Sequence, residues 1–191
     1  MAKKLNEKQE PEIFYPKSTK EWRNWLEKNH EKKESVWLMY YKKATGKPSI
    51  TWSESVDQAL CFGWIDSKHV GIDHESSKQY FCKRKAKSTW SKINKQKIEK
   101  LSAEGLIAEA GFKSIEIAKA NGSWTLLDDV DNLVIPLDLA SLFKENIEAK
   151  DRFEKLSDSA KKLLLYKLKS AKRPETRKKV LDELSNSRKV E

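Results

Sequence analysis

The chain has 191 residues, a mass of 22.2 kDa, 36% charged residues and a net charge of +10 at pH 7. Seven Trp, six Phe and five Tyr accompany a mean hydropathy of −0.79, which excludes a disordered chain because enough apolar surface is present to form a core. Two cysteines are too few for a disulfide framework, and no apolar run has the length of a membrane span. The totals indicate a globular protein of one or two domains.

The positive charge favours encounters with polyanions such as nucleic acids. Six of the 39 basic residues are Arg, the residue whose guanidinium binds phosphates and bases in a bidentate way. Lysine richness is more typical of a solvated surface.

The N-terminal third predicts a flexible tail over residues 1–12, then a helix and a strand. Ser18 and Glu21 have the spacing of a capping box, with Trp22 and Leu26 on one face of the helix that follows. In residues 35–41 aromatic and branched side chains occur at both odd-numbered and even-numbered positions, as in a strand covered on both faces.

A second capping box at Thr51 and Glu54 predicts a helix that ends at Gly63. Residues 64–72 then predict a strand, and the turn-rich stretch 73–77 predicts a loop to an antiparallel return at 79–84.

Ser88 is a candidate cap for a helix that carries Trp90, and another helix is predicted to end at Asn121. Residues 128–132 are predicted to form a loop. Apolar spacing of three and four predicts helices at 138–143, 147–156, 159–171 and 174–184.

These elements predict an α+β fold, with a small antiparallel sheet packed with helices in the N-terminal part and a small all-helical C-terminal domain. The expected division is a tail at 1–12, an α+β domain at 13–127, a linker at 128–135 and a helical domain at 136–191.

Two blocks concentrate positive charge: residues 78–100 and 161–179 each hold nine basic residues against one Glu. On one side of the fold they would form a positive groove, with Tyr80, Phe81 and Trp90 available for stacking on bases. The alternative interpretation is two solvated outer faces with buried aromatics. The candidate nucleic-acid contacts are Lys83, Arg84, Lys85, Lys87, Lys92, Arg173 and Arg177.

No cofactor is expected, and the three histidines fit no metal-binding spacing. Cys61 lies in an apolar run and is expected to be buried. Cys82 is followed by three basic residues, so a lowered pKa and thiolate character are expected there.

Asp57 and Asp66 flank the end of the second helix, within predicted reach of Arg84, Lys43 or Lys92. Carboxylates facing cations form either a binding cleft with shifted pKa values or a structural ion pair.

Several stretches together resemble the YdeI/OmpD-associated family, also called bacteriocin-protection or OmdA-like proteins. They are Trp22–His30, Val36–Leu38, Tyr41–Lys43, Ala59–Asp66, Lys87–Asn94 and Ala171–Arg177. The resemblance extends from about Phe14 to about Arg177 and implies an α+β region followed by a short helical domain. It implies bacterial stress resistance and, by name alone, a link to a porin, and it supplies no catalytic residues. Cys82 replaces the threonine and Lys83 the proline common in relatives.

The leading hypothesis is a non-enzymatic stress-protection or anionic-ligand-binding protein. Its expected cleft is lined by Cys61, Trp64, Asp66, Arg84, Trp90, Ser91 and Asn94. The alternatives are weak nucleic-acid binding and an enzyme acting on an anionic small molecule. No signal-peptide pattern is recognised at the N-terminus, so a cytoplasmic location is expected.

Overall fold

A computed structural model describes residues 11–186 of the chain. Of the tail predicted at 1–12, residues 1–10 lie outside the described residues. The backbone contacts divide the chain into two compact units. The first, the α+β unit, holds residues up to Thr89 together with Ile93–Trp124, and the second, the helical unit, holds Trp90–Lys92 and the residues from Thr125 onward.

The described strands are β1 at Ile13–Phe14, β2 at Ser35–Tyr41, β3 at Trp64–Gly71 and β4 at Ser76–Lys83. The helices are α1 at Thr19–Asn29, α2 at Trp52–Cys61, α3 at Lys92–Ala103, α4 at Glu109–Ala120, α5 at Asp128–Asp131, α6 at Leu137–Glu145, α7 at Ile147–Lys155, α8 at Asp158–Ser170 and α9 at Pro174–Asn186, with a 3₁₀ turn at Lys43–Thr45. The predicted fold class, a small sheet with helices followed by a helical region, is confirmed.

The four strands form one sheet in the order β1-β2-β4-β3. β2 and β3 both pair with β4 in the antiparallel direction, while β1 adds a short parallel edge to β2. The register of β3 shifts between Asp66 and His69, so two residues of β3 oppose one of β4. Such a bulge bends the strand and redirects the side chains beside it.

Helix starts follow the local chemistry. The Ser18 hydroxyl accepts from the backbone amide of Glu21 at 3.3 Å. The Glu21 carboxylate accepts from the backbone amide of Lys17 rather than from that of the cap residue Ser18. At α2 the Thr51 hydroxyl and the Glu54 carboxylate each accept from the other residue's amide, so the predicted capping box is complete. Each such cap satisfies amide groups that a helix start leaves free.

One face of the sheet carries the core of the α+β unit. Val36, Leu38 and Tyr40 alternate along β2 as buried residues, while the intervening side chains are half-buried, so β2 is less evenly covered than predicted. Trp22 is fully buried and its indole NH donates to the Ser55 carbonyl at 3.0 Å, which ties α1 to α2.

Tyr40 gives this core a pH dependence. Its hydroxyl lies 2.8 Å from the Ser55 hydroxyl, and burial raises the pKa of Tyr40 above the ordinary value for tyrosine. A raised folded-state pKa leaves stability intact below the unfolded-state pKa of about 10, and that stability is lost as the pH rises further.

We therefore expect the wild-type protein to lose about 1.4 kcal/mol of unfolding free energy per pH unit above pH 10 relative to a Tyr40→Phe variant. Urea unfolding of both proteins between pH 8 and pH 11, followed by circular dichroism, measures the difference. The same pH dependence of the unfolding free energy in both proteins would contradict the assignment of this effect to Tyr40.

Three local predictions are wrong. β4 begins at Ser76 because Asp73 closes a tight turn by accepting from the amides of Glu75 and Ser76, so the loop is shorter than predicted. α3 begins at Lys92, which leaves Trp90 before the helix. Residues 128–131 form one helical turn rather than a loop, and Val130 from this turn is buried in the core of the helical unit.

The helical unit packs α5 to α9 around an apolar cluster that contains Leu139, Phe153 and Leu168. Arg177 joins three helices in this unit: its guanidinium donates to both carboxylate oxygens of Asp138 in α6 and to the Leu168 carbonyl in α8. Among residues 11–186, no helix is both long and apolar enough to cross a bilayer.

Candidate functional site

A pocket of about 660 Å³ lies in the α+β unit, and we call it the Arg84 pocket. It is formed where α2 ends, β3 begins, β4 ends and α4 begins. Its lining residues are His30, Glu31, Phe62, Gly63, Trp64, Lys83, Arg84, Lys85, Ala86, Ala108, Glu109, Ala110, Lys113, Ser114 and Ile117.

Two glycines allow α4 to approach the end of α2 closely enough to build this pocket. Gly63 has φ +70°, and a Cβ there would lie 2.9 Å from the Ala110 carbonyl oxygen. A Cβ on Gly111 would overlap the Cys61 carbonyl. That carbonyl accepts from the Ala108 amide at 2.9 Å, which fixes the first turn of α4 against α2.

Arg84 is the buried cation of the pocket. Its amide donates to the Gly63 carbonyl at 2.9 Å, and one guanidinium nitrogen donates to the Thr89 carbonyl at 3.0 Å. Burial lowers the pKa of Arg84 to about 10, and the negative charge of Asp66 opposes that shift. The guanidinium therefore remains cationic at neutral pH.

Three lysines line the same pocket as Arg84. Lys83 is already engaged, since its ammonium group lies 2.7 Å from the Glu34 carboxylate and donates to the Glu31 carbonyl. Lys85 and Lys113 are exposed, and within the described residues neither forms an ion pair. Against these cations the lining contributes two carboxylates, Glu31 and Glu109, so the pocket is net positive.

The start of α4 adds to the positive potential. Ala108 occupies the cap position and offers no side-chain oxygen to the first amide groups of the helix. Helix starts carry a partial positive charge and favour anions, although the exposed Glu109 in the first turn offsets part of that charge.

The structure brings together two of the residues predicted for the cleft, Trp64 and Arg84, both in the lining of the Arg84 pocket. Asp66 instead lies in a second cleft, beside Trp52 and Gln79. Cys61 is fully buried behind the pocket.

The other three predicted cleft residues are placed elsewhere. Trp90 and Ser91 belong to the helical unit, and Trp90 is buried. Asn94 is half-buried in α3 of the α+β unit and is not part of the described lining of the Arg84 pocket.

Both cysteine thiols have raised pKa values for the same reason. Burial raises the pKa of Cys61 and also that of Cys82, where Lys85 and Arg84 oppose the shift without overcoming it. The expected lowering of the Cys82 pKa is therefore wrong, because desolvation outweighs the neighbouring cations. Both thiols are poor nucleophiles at neutral pH.

Several charged residues of the predicted sites are held in ion pairs. Asp57 pairs with Lys97 at 2.5 Å, which is a structural pair between α2 and α3. Of the proposed nucleic-acid contacts, Lys83 is paired with Glu34 and Arg177 with Asp138, whereas Lys85, Lys87, Lys92 and Arg173 are exposed. Phe81 and Trp90, proposed for stacking, are buried, and Tyr80 packs edge-on against Trp37.

Sequence reasoning did not identify Lys113, Ser114 or Gly111 as part of the site. A glycine inside the apolar spacing of a helix is a signal of close packing, and Gly111 stands in that position. No comparable pattern marks Lys113, because one exposed lysine on a helix resembles any other.

Among the described residues, no group of three or more His, Cys, Asp or Glu side chains could hold a metal ion. What the geometry provides is a positively charged pocket next to the buried side chains of Phe62 and Trp64.

Comparison with known families separates the chain into two matches. Residues 14–114 match a family described as a domain of unknown function (DUF8412), and residues 132–186 match OmdA, described as bacteriocin-protection, YdeI or OmpD-associated. No curated protein and no solved structure matches the chain significantly.

Because the first match covers more than half of the chain, this protein belongs to the DUF8412 family, and its C-terminal residues 132–186 carry an OmdA domain. The resemblance to the YdeI/OmpD-associated family is thereby confirmed, but over a shorter stretch than expected. Of the motifs that carried it, Ala171–Arg177 falls inside the OmdA match, while Trp22–His30 and Ala59–Asp66 fall inside the other.

Proposed function

We propose that this protein binds a small anionic molecule in the Arg84 pocket and contributes to stress protection without transforming its ligand. The observation that carries the proposal is the buried Arg84 guanidinium in a pocket of about 660 Å³ that also contains Lys85 and Lys113. Desolvation of a cation is costly, and a residue in a cleft whose pKa is shifted by burial is a candidate for ligand binding.

The pocket suits a carboxylate or phosphate group attached to a small apolar body. Arg84 supplies a fixed positive charge that attracts either group, and the exposed Lys85 and Lys113 add charge without fixing geometry. Ile117 in the lining is exposed and offers apolar surface for the remainder of the ligand, whereas Phe62 and Trp64 are buried.

Binding without reaction is proposed because the thiols nearest the pocket have raised pKa values and are therefore protonated at neutral pH. The stress-protection role is supported by the bacteriocin-protection description of the OmdA match.

The experiment is isothermal titration of the full chain with acetate, citrate, phosphate and sulfate at constant ionic strength. We expect saturable binding of at least one anion, and an affinity at least tenfold lower for Arg84→Gln, since a charged hydrogen bond is worth about 1.5–3 kcal/mol. Lys87→Gln is the matched control, because Lys87 is exposed and outside the lining of the pocket.

Thermal shifts alone are not sufficient, because phosphate and sulfate stabilise proteins generally by exclusion from the surface. Equal affinities of the wild type and Arg84→Gln, or no saturable binding at millimolar concentrations, would refute the proposal. A bacterial strain lacking the gene, complemented with the wild type or with Arg84→Gln and exposed to a cationic antimicrobial peptide, tests the physiological role. Equal survival of the strains that carry the wild type and Arg84→Gln would show that stress protection does not depend on the Arg84 pocket.

A further inference from the structure

The second cleft of the α+β unit has a volume of about 920 Å³, and we call it the Trp52 cleft. It lies between the start of α2, the β3-β4 hairpin and the segment after β2. Its lining residues are Tyr40, Tyr41, Lys43, Gly46, Lys47, Pro48, Ser49, Ile50, Thr51, Trp52, Asp66, His69, Ser77 and Gln79.

Trp52 forms an exposed and fixed aromatic surface in this cleft. Its side chain is large and apolar, yet the residue is 54% exposed. Its indole NH donates to Asp66 Oδ2 at 2.9 Å, which holds the ring at the first position of α2. A fixed, exposed tryptophan loses little conformational freedom when a flat ligand stacks on it.

Asp66 and Gln79 place hydrogen-bond acceptors beside that ring. The Gln79 side-chain amide donates to Asp66 Oδ2 at 2.9 Å and to the Ser67 carbonyl at 3.4 Å, and these two acceptors set the orientation of the amide. Within the described residues, Asp66 Oδ1 and Gln79 Oε1 accept no hydrogen bond. The cleft therefore offers two acceptors to a ligand that carries donors.

The rim of the cleft is cationic. Lys47 pairs with Glu75 at 2.6 Å, whereas Lys43 is exposed and forms no ion pair in the described part of the chain. A ligand with an anionic group next to its ring would meet Lys43 while the ring lies on Trp52.

We propose that the Trp52 cleft binds the amino-bearing base of a nucleotide, with the base stacked on Trp52, its amino group donating to Asp66 Oδ1 or Gln79 Oε1, and its phosphate near Lys43. Adenine, cytosine and guanine carry such an amino group, whereas uracil carries carbonyl oxygens at the corresponding ring positions and no exocyclic amino group. This site is separate from the Arg84 pocket and does not depend on the function proposed for it.

The test is titration of the full chain with AMP, CMP and UMP at 0.15 M salt, with the indole NH signal of Trp52 followed by NMR. We expect AMP and CMP to bind at least tenfold more tightly than UMP and to shift the Trp52 signal. Adenosine should bind more weakly than AMP in the wild type, and Lys43→Ala should remove that difference. An oligo(dA) strand distinguishes the two sources of such a base. If the strand binds and AMP does not, the site is assigned to single-stranded nucleic acid.

Two variants examine the stacking and the hydrogen bonds separately. Trp52→Ala should weaken AMP binding at least tenfold, because stacking of one base is worth about 1–3 kcal/mol. Asp66→Asn keeps an oxygen for Trp52 and Gln79 but turns the Oδ1 position into a donor, so the preference should reverse toward UMP. Ile72→Ala, an exposed change outside the cleft lining, is the control and should change nothing.

Circular dichroism establishes whether each variant is folded. If Trp52→Ala does not fold, the nucleotide preference of Asp66→Asn still tests the proposal. Equal binding of UMP and AMP to the wild type, unchanged affinity in folded Trp52→Ala, or no saturable binding of any nucleotide or strand at millimolar concentrations would overturn the proposal. Trp52-dependent binding of a methyl glycoside but not of AMP would reassign the cleft to sugars.

Discussion

Replacing Gly111 by alanine should lower the free energy of unfolding by about 3 kcal/mol, because the added methyl group has no space. It would overlap the Cys61 carbonyl oxygen and lie 2.9 Å from both the Cys61 carbonyl carbon and Ile107 Cγ2. The principal obstacle is backbone, which cannot move aside as a flexible side chain does. The gain of about 1 kcal/mol in helix propensity from Gly to Ala offsets part of the cost.

The same change should damage the Arg84 pocket. Separation of α4 from α2 breaks the hydrogen bond from the Ala108 amide to the Cys61 carbonyl, and the pocket wall is built from α4 and from Phe62 and Gly63, which directly follow α2. Chemical denaturation measures the stability, and anion titration measures the pocket.

Gly71→Ala is the matched control for this prediction. No heavy atom lies within 4 Å of a Cβ built at Gly71, and its backbone does not have a positive φ. A change of no more than about 0.5 kcal/mol is expected there, as for exposed substitutions in general. Equal stability of the Gly111→Ala and Gly71→Ala variants would show that the close approach of α2 and α4 is not required.

Replacing Arg177 by methionine should lower the stability of the helical unit by about 2 kcal/mol. The guanidinium bonds to Asp138 in α6 and to the Leu168 carbonyl near the end of α8, so the change removes charged hydrogen bonds between three helices. The pair is about one-third exposed on each side, which reduces its contribution below that of a buried pair.

This contribution should depend on pH in the acid range. The hydrogen bond from Arg177 lowers the pKa of Asp138, so the stabilisation is fully present above the unfolded-state pKa of about 3.9 and is lost as the pH falls through the folded-state pKa. The stability difference between the wild type and Arg177→Met, measured by urea unfolding, should therefore shrink below about pH 4.

Arg173→Met is the control, because Arg173 belongs to the same Ala171–Arg177 motif but is exposed. An equal loss of stability in both variants would contradict the structural role assigned to Arg177. The contrast also bears on nucleic-acid binding, for which both arginines were candidates: Arg173 is the more accessible of the two.

Local patterns in the sequence predicted much of the fold. The aromatic and branched run at 35–41 predicted β2 with the correct bounds, although only alternate residues of that strand are buried, and the Thr51 and Glu54 spacing located the start of α2. These features depend on neighbours within a few residues. The start of α3 was misplaced because the polar residues near Ser88 resemble a cap, while the helix begins at Lys92, whose amide donates to Asp131 at 2.7 Å.

The candidate site was harder to predict because it depends on strand register. In the sequence Asp66 ends the Ala59–Asp66 stretch and Arg84 shortly precedes the Lys87–Asn94 stretch, and we expected both side chains in one cleft. The β3-β4 pairing places Asp66 opposite Phe81, three residues before Arg84, and next to the bulge Asp66 accepts from the side-chain amide of Gln79. A bulge leaves no clear mark in composition. The signal that was missed is Gln79 itself, a polar residue on the same strand face as buried Phe81.

The β1-β2 pairing has a further consequence for how this protein avoids aggregation. β1 contributes two residues, and the Trp37 amide also donates to the Glu12 carbonyl, so a short segment caps one edge of an aromatic-rich sheet. At the opposite edge the bulge in β3 interrupts the row of backbone groups available to another chain. Truncation that removes residues 11–15 would expose the β2 edge, a template for intermolecular strand addition.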